Sequence, residues 1–243
     1  MQATPEPTAV GVVLAAGMGT RVGADGNKAY LPLAGRSMVS WSVEAVAGST
    51  NISRTVLVFR RGERDLAART LAAELPHLVV ELVEGGDTRH GSEENVLRHL
   101  APDIEAGAID VVLIHDAARP LAGPALMDTA LSTARSCGGA IPVLSATDMV
   151  KTDAGGQLSP ANGTWVRVQT PQAFRARPLL TAYRSAEGGS FEGTDTASCV
   201  QNYTDLEVRA FPGASTNLKV TFAPDVQLAE RLLQDRISRG GTR

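Results

Sequence analysis

The run Val10-Gly11-Val12-Val13-Leu14-Ala15-Ala16-Gly17-Met18-Gly19-Thr20-Arg21 decides how the rest of the chain is read. Its first six residues, Val10–Ala15, are a short apolar run that reads as a buried strand. Strands covered on both faces read this way in parallel sheets. The second half exchanges the apolar run for small residues, where a strand of an open α/β sheet hands over to a loop. Small residues there let backbone N–H groups approach an anion, and a following helix start adds the positive end of its dipole. The same glycines also suit a turn needed only for tight packing, so the pattern alone leaves both readings open.

Working outward, further short apolar runs predict strands at Arg54–Phe59, Leu78–Glu84, Asp110–His115, Gly139–Val143 and Leu206–Phe211. Helical patterns fall between and after them: Met38–Ala47, Glu63–Leu75, Ser92–Leu100 with Ser92 as N-cap, Pro124–Cys137, Arg177–Ser185, Asp195–Asn202 and Pro224–Ile237. This alternation predicts an α/β fold: a doubly wound, mostly parallel, Rossmann-like sheet with helices on both faces, in one domain over residues 1–243. The rhythm breaks at Ser145–Arg167, where polar and apolar residues alternate around Ala154-Gly155-Gly156. That predicts a protruding β-hairpin arm over residues 145–168.

The 243 residues suffice for a single core, and 43% hydrophobic against 20% charged residues argues against disorder. A net charge of −3 supplies no basic field for nucleic acid or an anionic membrane. The two cysteines, Cys137 and Cys199, form no CxxC pattern, so a disulfide framework and a Cys-rich zinc site are not expected. No apolar stretch reaches membrane-spanning length, and MQATPEPTAV lacks the features of a signal peptide. A cytoplasmic protein is expected.

In sheets of this kind ligands bind beyond the carboxyl ends of the strands. After the first strand, Arg21 and Lys28 lie seven residues apart with Gly23 and Gly26 between. Two cations there suit a triphosphate, although a solvated pair is the plainer alternative. A dinucleotide fold is disfavoured, because Val22 replaces the third glycine and the second strand ends in Phe59-Arg60-Arg61 without an acid. No Gly-Lys-Ser/Thr supports a P-loop. The next loop, Gly85-Gly86-Asp87-Thr88-Arg89, leads to Ser92; its glycines permit close backbone approach and Asp87 can accept from a base or sugar. In His115-Asp116-Ala117-Ala118-Arg119-Pro120, Asp116 can hold a divalent cation or a hydroxyl and Arg119 can pair with a phosphate. Gln169-Thr170-Pro171-Gln172 is polar and rigid, and Thr194-Asp195 precedes a helix, where an N-cap explains it equally well. Lys219 is either an edge-strand charge or a phosphate ligand. No Gly-x-Ser-x-Gly occurs, and His77, His90, His99 and His115 show no metal spacing; the first three are expected on the surface, and His115 beside Asp116 as a packing or orienting group.

Taken in order, LAAGMGTR (14–21), Lys28 with the following YLPLAG, GGDTR (85–89), HDAARP (115–120), QTPQAF (169–174), GTDTAS (193–198) and NLKVT (217–221) resemble the 2-C-methyl-D-erythritol 4-phosphate cytidylyltransferases of the non-mevalonate isoprenoid pathway. The likeness runs from Val10 to about Leu233. The ribitol 5-phosphate cytidylyltransferases share most of these motifs. The resemblance implies a nucleotidyltransferase fold, a homodimer made by swapped hairpin arms, and magnesium-dependent use of CTP. It assigns Leu14, Ala15, Ala16, Gly17, Gly19, Thr20 and Ala117 to CTP, and Gly86, Asp87 and Ser92 to its cytosine and ribose. It assigns Arg21, Lys28 and Lys219 to catalysis, Asp116, Arg119, Thr170 and Thr194 to the sugar phosphate, and Asp116 also to the metal.

The departures concern mainly the acceptor. Asn27-Lys28-Ala29 stands where the family usually has Pro-Lys-Gln, and Glu93-Glu94 where small apolar residues are common. Met149 occupies the place of a threonine expected to touch substrate, and Asn162 that of an arginine expected to reach the partner's phosphate. Losing such a charge-assisted contact costs about 1.5–3 kcal/mol. These two positions keep open a different polyol phosphate such as ribitol 5-phosphate, or a CTP-binding paralogue weak in catalysis. The implied reaction is direct attack by the acceptor phosphate on the α-phosphorus of CTP, with pyrophosphate leaving and no covalent enzyme intermediate. Replacing Arg21 or Lys28 by alanine is expected to lower kcat by about 10² or more, one charge stabiliser each; near-normal turnover in both variants refutes the assignment.

Overall fold

A computed structural model describes residues 8–17, 26–160, 162–188, 191, 193 and 195–240. Its centre is a sheet of parallel strands β1 (Thr8–Leu14), β4 (Ile52–Phe59), β5 (Val80–Glu84) and β6 (Ile109–Asp116), in spatial order β5-β4-β1-β6. Two-residue strands β2 (Pro32–Leu33) and β3 (Arg36–Ser37) form a small separate hairpin. Beyond β6 comes an antiparallel strand, β11 (Gln172–Arg175), then β7 (Gly139–Ser145), parallel to β6 in direction, and β12 (Val208–Pro212) along the far edge of β7. Strand β10 (Val166–Val168) continues along β7 where β11 leaves it.

The sheet is doubly wound because its strand residues alternate in destination. Val13, Leu57, Val111 and Leu113 face helices α1 (Met38–Ala47), α2 (Arg64–Glu74) and α4 (Pro124–Cys137). Val12, Val56, Val58, Val112 and Ile114 face α3 (Arg89–Glu105), α5 (Ala176–Ala186) and α6 (Thr196–Tyr203). With one apolar layer above and another below, the period-two side-chain geometry of a strand gives the continuous apolar runs seen in the sequence. A third cluster packs Ala229 and Leu233 of α7 (Ala223–Gly240) with Leu33, Met38 and Val220. That docking returns the 217–221 segment to the carboxyl end of the sheet. Among the described residues no helix is long and apolar enough to cross a membrane.

Helices α1 and α4 have the predicted bounds, while the others differ by a few residues. Three differences have physical reasons. Helix α3 begins three residues before Ser92, because Thr88 is its N-cap and accepts from the Gly91 N–H at 3.0 Å. The QTPQAF stretch is no plain loop: its second half, β11, wedges between β6 and β7 with Gln172, Ala173 and Phe174 buried. Beside Asp195, the N-cap reading holds, since its carboxylate accepts from the Ser198 N–H at 3.0 Å. The arm is a hairpin, β8 (Val150–Thr152) with β9 (Leu158–Pro160), closed where Asp153 Oδ1 accepts from the N–H groups of Gly155 and Gln157.

Gly11, in the middle of β1, is needed for contact. A Cβ built there runs into the Val46 side chain of α1 and lies 3.1 Å from Ile52. Gly11→Ala should therefore destabilise the fold by roughly 1–3 kcal/mol through overpacking, read as a lower urea midpoint; an unchanged midpoint overturns this account of the α1–β1 contact.

Candidate active site

A cavity of about 370 Å³ opens past the carboxyl ends of β1, β5 and β6. Residues 14–17 form one wall, and residues 27–29 and Lys219 contribute another. Residues 86–89 with Ser92, and residues 116–118, complete it. These stretches come from distant parts of the sequence, and backbone hydrogen bonds join their bases: Ala15 N–H to Val58 O, Gly85 N–H to Phe59 O, and Ala117 N–H to Leu14 O. The approach is close enough to require glycine. A Cβ on Gly85 would sit 2.5 Å from the Ala16 Cβ and 2.9 Å from Ser92 Oγ. On Gly86 it would meet the Gly91 backbone at 2.7 Å. Ser92 Oγ accepts from the Gly86 N–H at 3.1 Å and donates to Thr88 O at 2.9 Å, which folds the loop over the start of α3.

Asn27 secures the opposite wall. Its amide donates to Ala15 O and to Glu63 Oε2, both at 2.7 Å, and its carbonyl accepts from the Ala29 N–H at 3.0 Å. Lys28, between them, lines the cavity and donates to Val220 O at 2.9 Å.

Asp116 is the electrostatic centre. It is buried at the end of β6, with Arg89 Nη1 2.5 Å from one carboxylate oxygen and Lys219 Nζ 2.7 Å from the other. Burial alone would raise its pKa, but the Arg89 guanidinium and the Lys219 ammonium outweigh that and hold it well below the usual carboxylate range. Thr170 Oγ1 accepts from the Asp116 backbone N–H at 3.0 Å and lies 3.2 Å from His115 Nδ1. His115 Nε2 lies 3.1 Å from Arg119 O. Burial lowers the His115 pKa to about 4, against the opposing pull of Asp116, so the ring is neutral near pH 7. A neutral ring fits one tautomer: Nδ1 accepts the Thr170 hydroxyl proton and Nε2–H donates to Arg119 O. His115 therefore orients the loop around Asp116. His77, exposed, and His99, half-exposed at 2.9 Å from Glu81, lie at the surface, whereas His90 is half-buried and stacks on Tyr183.

Of the residues expected at the site, Leu14, Ala15, Ala16, Gly17, Lys28, Gly86, Asp87, Ser92, Asp116, Ala117 and Lys219 line the one cavity. Asp87 is largely exposed and 3.6 Å from Arg61. Thr170 and Arg119 stand behind the lining; Arg119 Nη1 donates to Asn217 O at 2.7 Å. Met149 and Asn162 are exposed on the arm and do not line the cavity. Gly19, Thr20, Arg21 and Thr194 lie outside the described residues.

A metal role for Asp116 does not fit its surroundings. Both of its oxygens are taken by cations, and among the described residues no three His, Cys, Asp or Glu side chains gather as a metal site. Sequence reasoning missed Arg89 and Asn27 as site residues. Arg89 was visible inside GGDTR, but its partner is 27 positions away, and no local spacing announces that pair.

A cavity past the carboxyl ends of parallel strands, with small residues on one side and cations on another, is where an α/β sheet of this kind takes an anionic ligand. Comparison with known proteins specifies it further. The family model described as IspD, 2-C-methyl-D-erythritol 4-phosphate cytidylyltransferase, matches residues 9–235, and the chain belongs to this family. The enzyme of that name from Cereibacter sphaeroides (strain KD131) is 39% identical over 93% of this chain and 97% of its own length. That from Solibacter usitatus is 32% identical over 95% and 98%. Among solved structures, the Thermus thermophilus 2-C-methyl-D-erythritol 4-phosphate cytidylyltransferase is 29% identical, with a TM-score of 0.69 over 94% of this chain and 99% of that one. The Anaerococcus prevotii 4-diphosphocytidyl-2C-methyl-D-erythritol synthase shares the fold, with a TM-score of 0.81 over 94% and 96% at 24% identity.

The buried neutral His115 has a consequence for stability. Its folded pKa of about 4 lies below its ordinary value, so between about pH 6.5 and pH 4 the unfolded chain binds a proton that the folded chain refuses. Stability present above that window is lost as pH falls through it, by on the order of 3 kcal/mol. Urea midpoints measured across the window should fall more steeply for the wild type than for His115→Gln; equal slopes overturn the assignment of a buried neutral imidazole.

Proposed function

We propose that this chain transfers CMP from CTP to 2-C-methyl-D-erythritol 4-phosphate, releasing pyrophosphate and forming the CDP-alcohol used in isoprenoid biosynthesis. The observation that carries the reading is the family match over residues 9–235, with curated relatives of that name at 32–39% identity. The cavity supports it chemically. Lys28, Arg89 and Lys219 face it against Asp116 and the exposed Asp87, so a bound triphosphate would meet excess positive charge. The N–H groups of the small-residue wall can approach the phosphates, while Gly86, Asp87 and Ser92 frame the base and ribose.

The acceptor's phosphate oxygen is already ionised, so attack on the α-phosphorus requires no strong base on the protein. Lone-pair donation from that oxygen forms the new P–O bond as the bond to pyrophosphate breaks, and the pyrophosphate carries the electrons away. The chain's part is positioning and charge neutralisation, by Arg21, Lys28 and Lys219. Asp116 is proposed to keep Lys219 extended into the cavity. Magnesium belongs to the reading as an ion brought in on the triphosphate, not as one held by Asp116.

The reading also includes a homodimer through the 145–168 arm, supported by the exposure of Met149, Val150, Leu158, Trp165, Val166 and Val168 on so slender an element. The unpaired Cys137 and Cys199 suit a cytoplasmic setting. A ribitol 5-phosphate enzyme and a paralogue weak in catalysis are not favoured, since the curated relatives cited carry the methylerythritol name. Pyrophosphate release with CTP and a panel of phosphorylated alcohols tests the reading. The kcat/KM for methylerythritol phosphate should exceed that for ribitol 5-phosphate by about tenfold or more; preference for ribitol phosphate, or CTP binding without any transfer, overturns it.

A further inference from the structure

Glu93 is 1% exposed, one helical turn beyond Arg89 on α3, in a protein interior where an isolated carboxylate is costly. Two hydroxyl donors and one guanidinium, from three elements, converge on it. Arg89 Nε lies 3.1 Å from Oε1, and Thr196 Oγ1, at the start of α6, donates to the same oxygen at 2.7 Å. The Tyr183 hydroxyl of α5 donates to Oε2, and the Tyr183 ring is stacked by His90 with centroids 4.7 Å apart. Beyond Arg89 the charges continue to Asp116 and Lys219, so a line of alternating sign runs from the interior to the cavity wall.

We propose that Glu93 is a positioning residue: by engaging Arg89 from the interior side, it lets Asp116 hold Lys219 in the cavity and ties this charge line to the start of α6. Without the Glu93 charge, two cations compete for the one carboxylate of Asp116, and Lys219 loses its restraint. Burial pushes the Glu93 carboxyl up, while the Arg89 charge and the Tyr183 and Thr196 hydroxyl bonds pull it back down; two O–H donors and a guanidinium facing it suit a carboxylate rather than a packing group. The Arg89 Nε and Nη2 atoms are buried and make no hydrogen bond, so charge attraction to Glu93 and Asp116 is what restrains this side of the guanidinium.

The inference rests on the transfer reaction proposed above, and a double-mutant cycle separates the two. Glu93→Gln keeps the shape and removes the charge; it should lower kcat about tenfold and weaken CTP binding about threefold in protein that remains folded by circular dichroism. Both effects should vanish when Glu93→Gln is introduced into Arg89→Met, because Glu93 acts through Arg89. Tyr183→Phe, which removes a single hydroxyl, should shift kcat in the same direction by a smaller factor, and it replaces Glu93→Gln in the cycle should that variant fail to fold. Additive effects in the cycle overturn the inference, as does a lower melting temperature with kinetics of the folded protein unchanged. If the wild type binds CTP but transfers to no acceptor, the reaction proposed above fails, and the same cycle read in CTP dissociation constants still decides whether Glu93 acts through Arg89. If the wild type neither binds nor transfers, both fall.

Discussion

The carboxylate of Asp116, buried between the Arg89 guanidinium and the Lys219 ammonium, is the interaction on which the rest of the site depends. A lone carboxylate at the end of a buried strand would neutralise itself by taking up a proton; two cations at 2.5 and 2.7 Å keep it ionised instead. That requirement reaches far into the fold. Strand β6 must end at residue 116, helix α3 must start with its first residue beside the cavity, and residues 217–221 must return to the sheet from beyond β12. The third apolar cluster secures that return, because Val220, one residue from Lys219, is fully buried with Leu33 and Leu233.

The backbone around Asp116 is held by a chain of uncharged hydrogen bonds, with the Arg119 guanidinium as a charged donor to it, at Asn217 O. Thr170 accepts the Asp116 N–H, Asn217 donates to Thr170 O at 2.8 Å, and Gln169 donates to Asn217 O at 3.1 Å. A chain of uncharged hydrogen bonds keeps its geometry whatever charge enters the cavity, whereas a further ion pair would compete with an incoming phosphate for the same cations. The antiparallel strand β11 supplies the anchor for this chain, since pairing with both β6 and β7 sets Thr170 beside the end of β6.

Much of this was legible in the chain itself. Apolar runs announced the parallel strands, and the helical patterns at Met38–Ala47 and Pro124–Cys137 gave the bounds of α1 and α4. The loops at 14–17, 85–92 and 115–118 stood out because small residues and charges follow apolar strands there. The rest was hidden for physical reasons. Strand β11 spans four residues, Gln-Ala-Phe-Arg, too short and too mixed to show a period of two. Ser92 resembled an N-cap, yet its hydroxyl folds the preceding loop while Thr88 caps the helix. Glu93 stood out as an oddity on α3, and its three partners lie 4, 90 and 103 residues away, beyond any local pattern. The two cations that reach the Asp116 oxygens likewise come from elsewhere in the chain, so no local spacing announced them.

The placement of the departures from the family pattern bears on how such a chain can vary. Two of the departures, Met149 and Asn162, sit on the exposed arm, whereas Asn27 lines the cavity and Glu93 lies behind it on α3; the cavity itself is built from strand ends and from loops packed too closely for a Cβ on Gly85 or Gly86. Substitutions on the arm leave those contacts untouched, so they do not disturb the small-residue wall or the Asp116 charge pairs. A change at Gly85 or Asp116 has no such freedom, since each is tied to two or more stretches of the cavity lining or its supports. The strand-end cavity is thus held by close packing and buried charge. An exposed arm is bound by neither constraint, so residues such as Met149 and Asn162 vary without altering how the cavity is built.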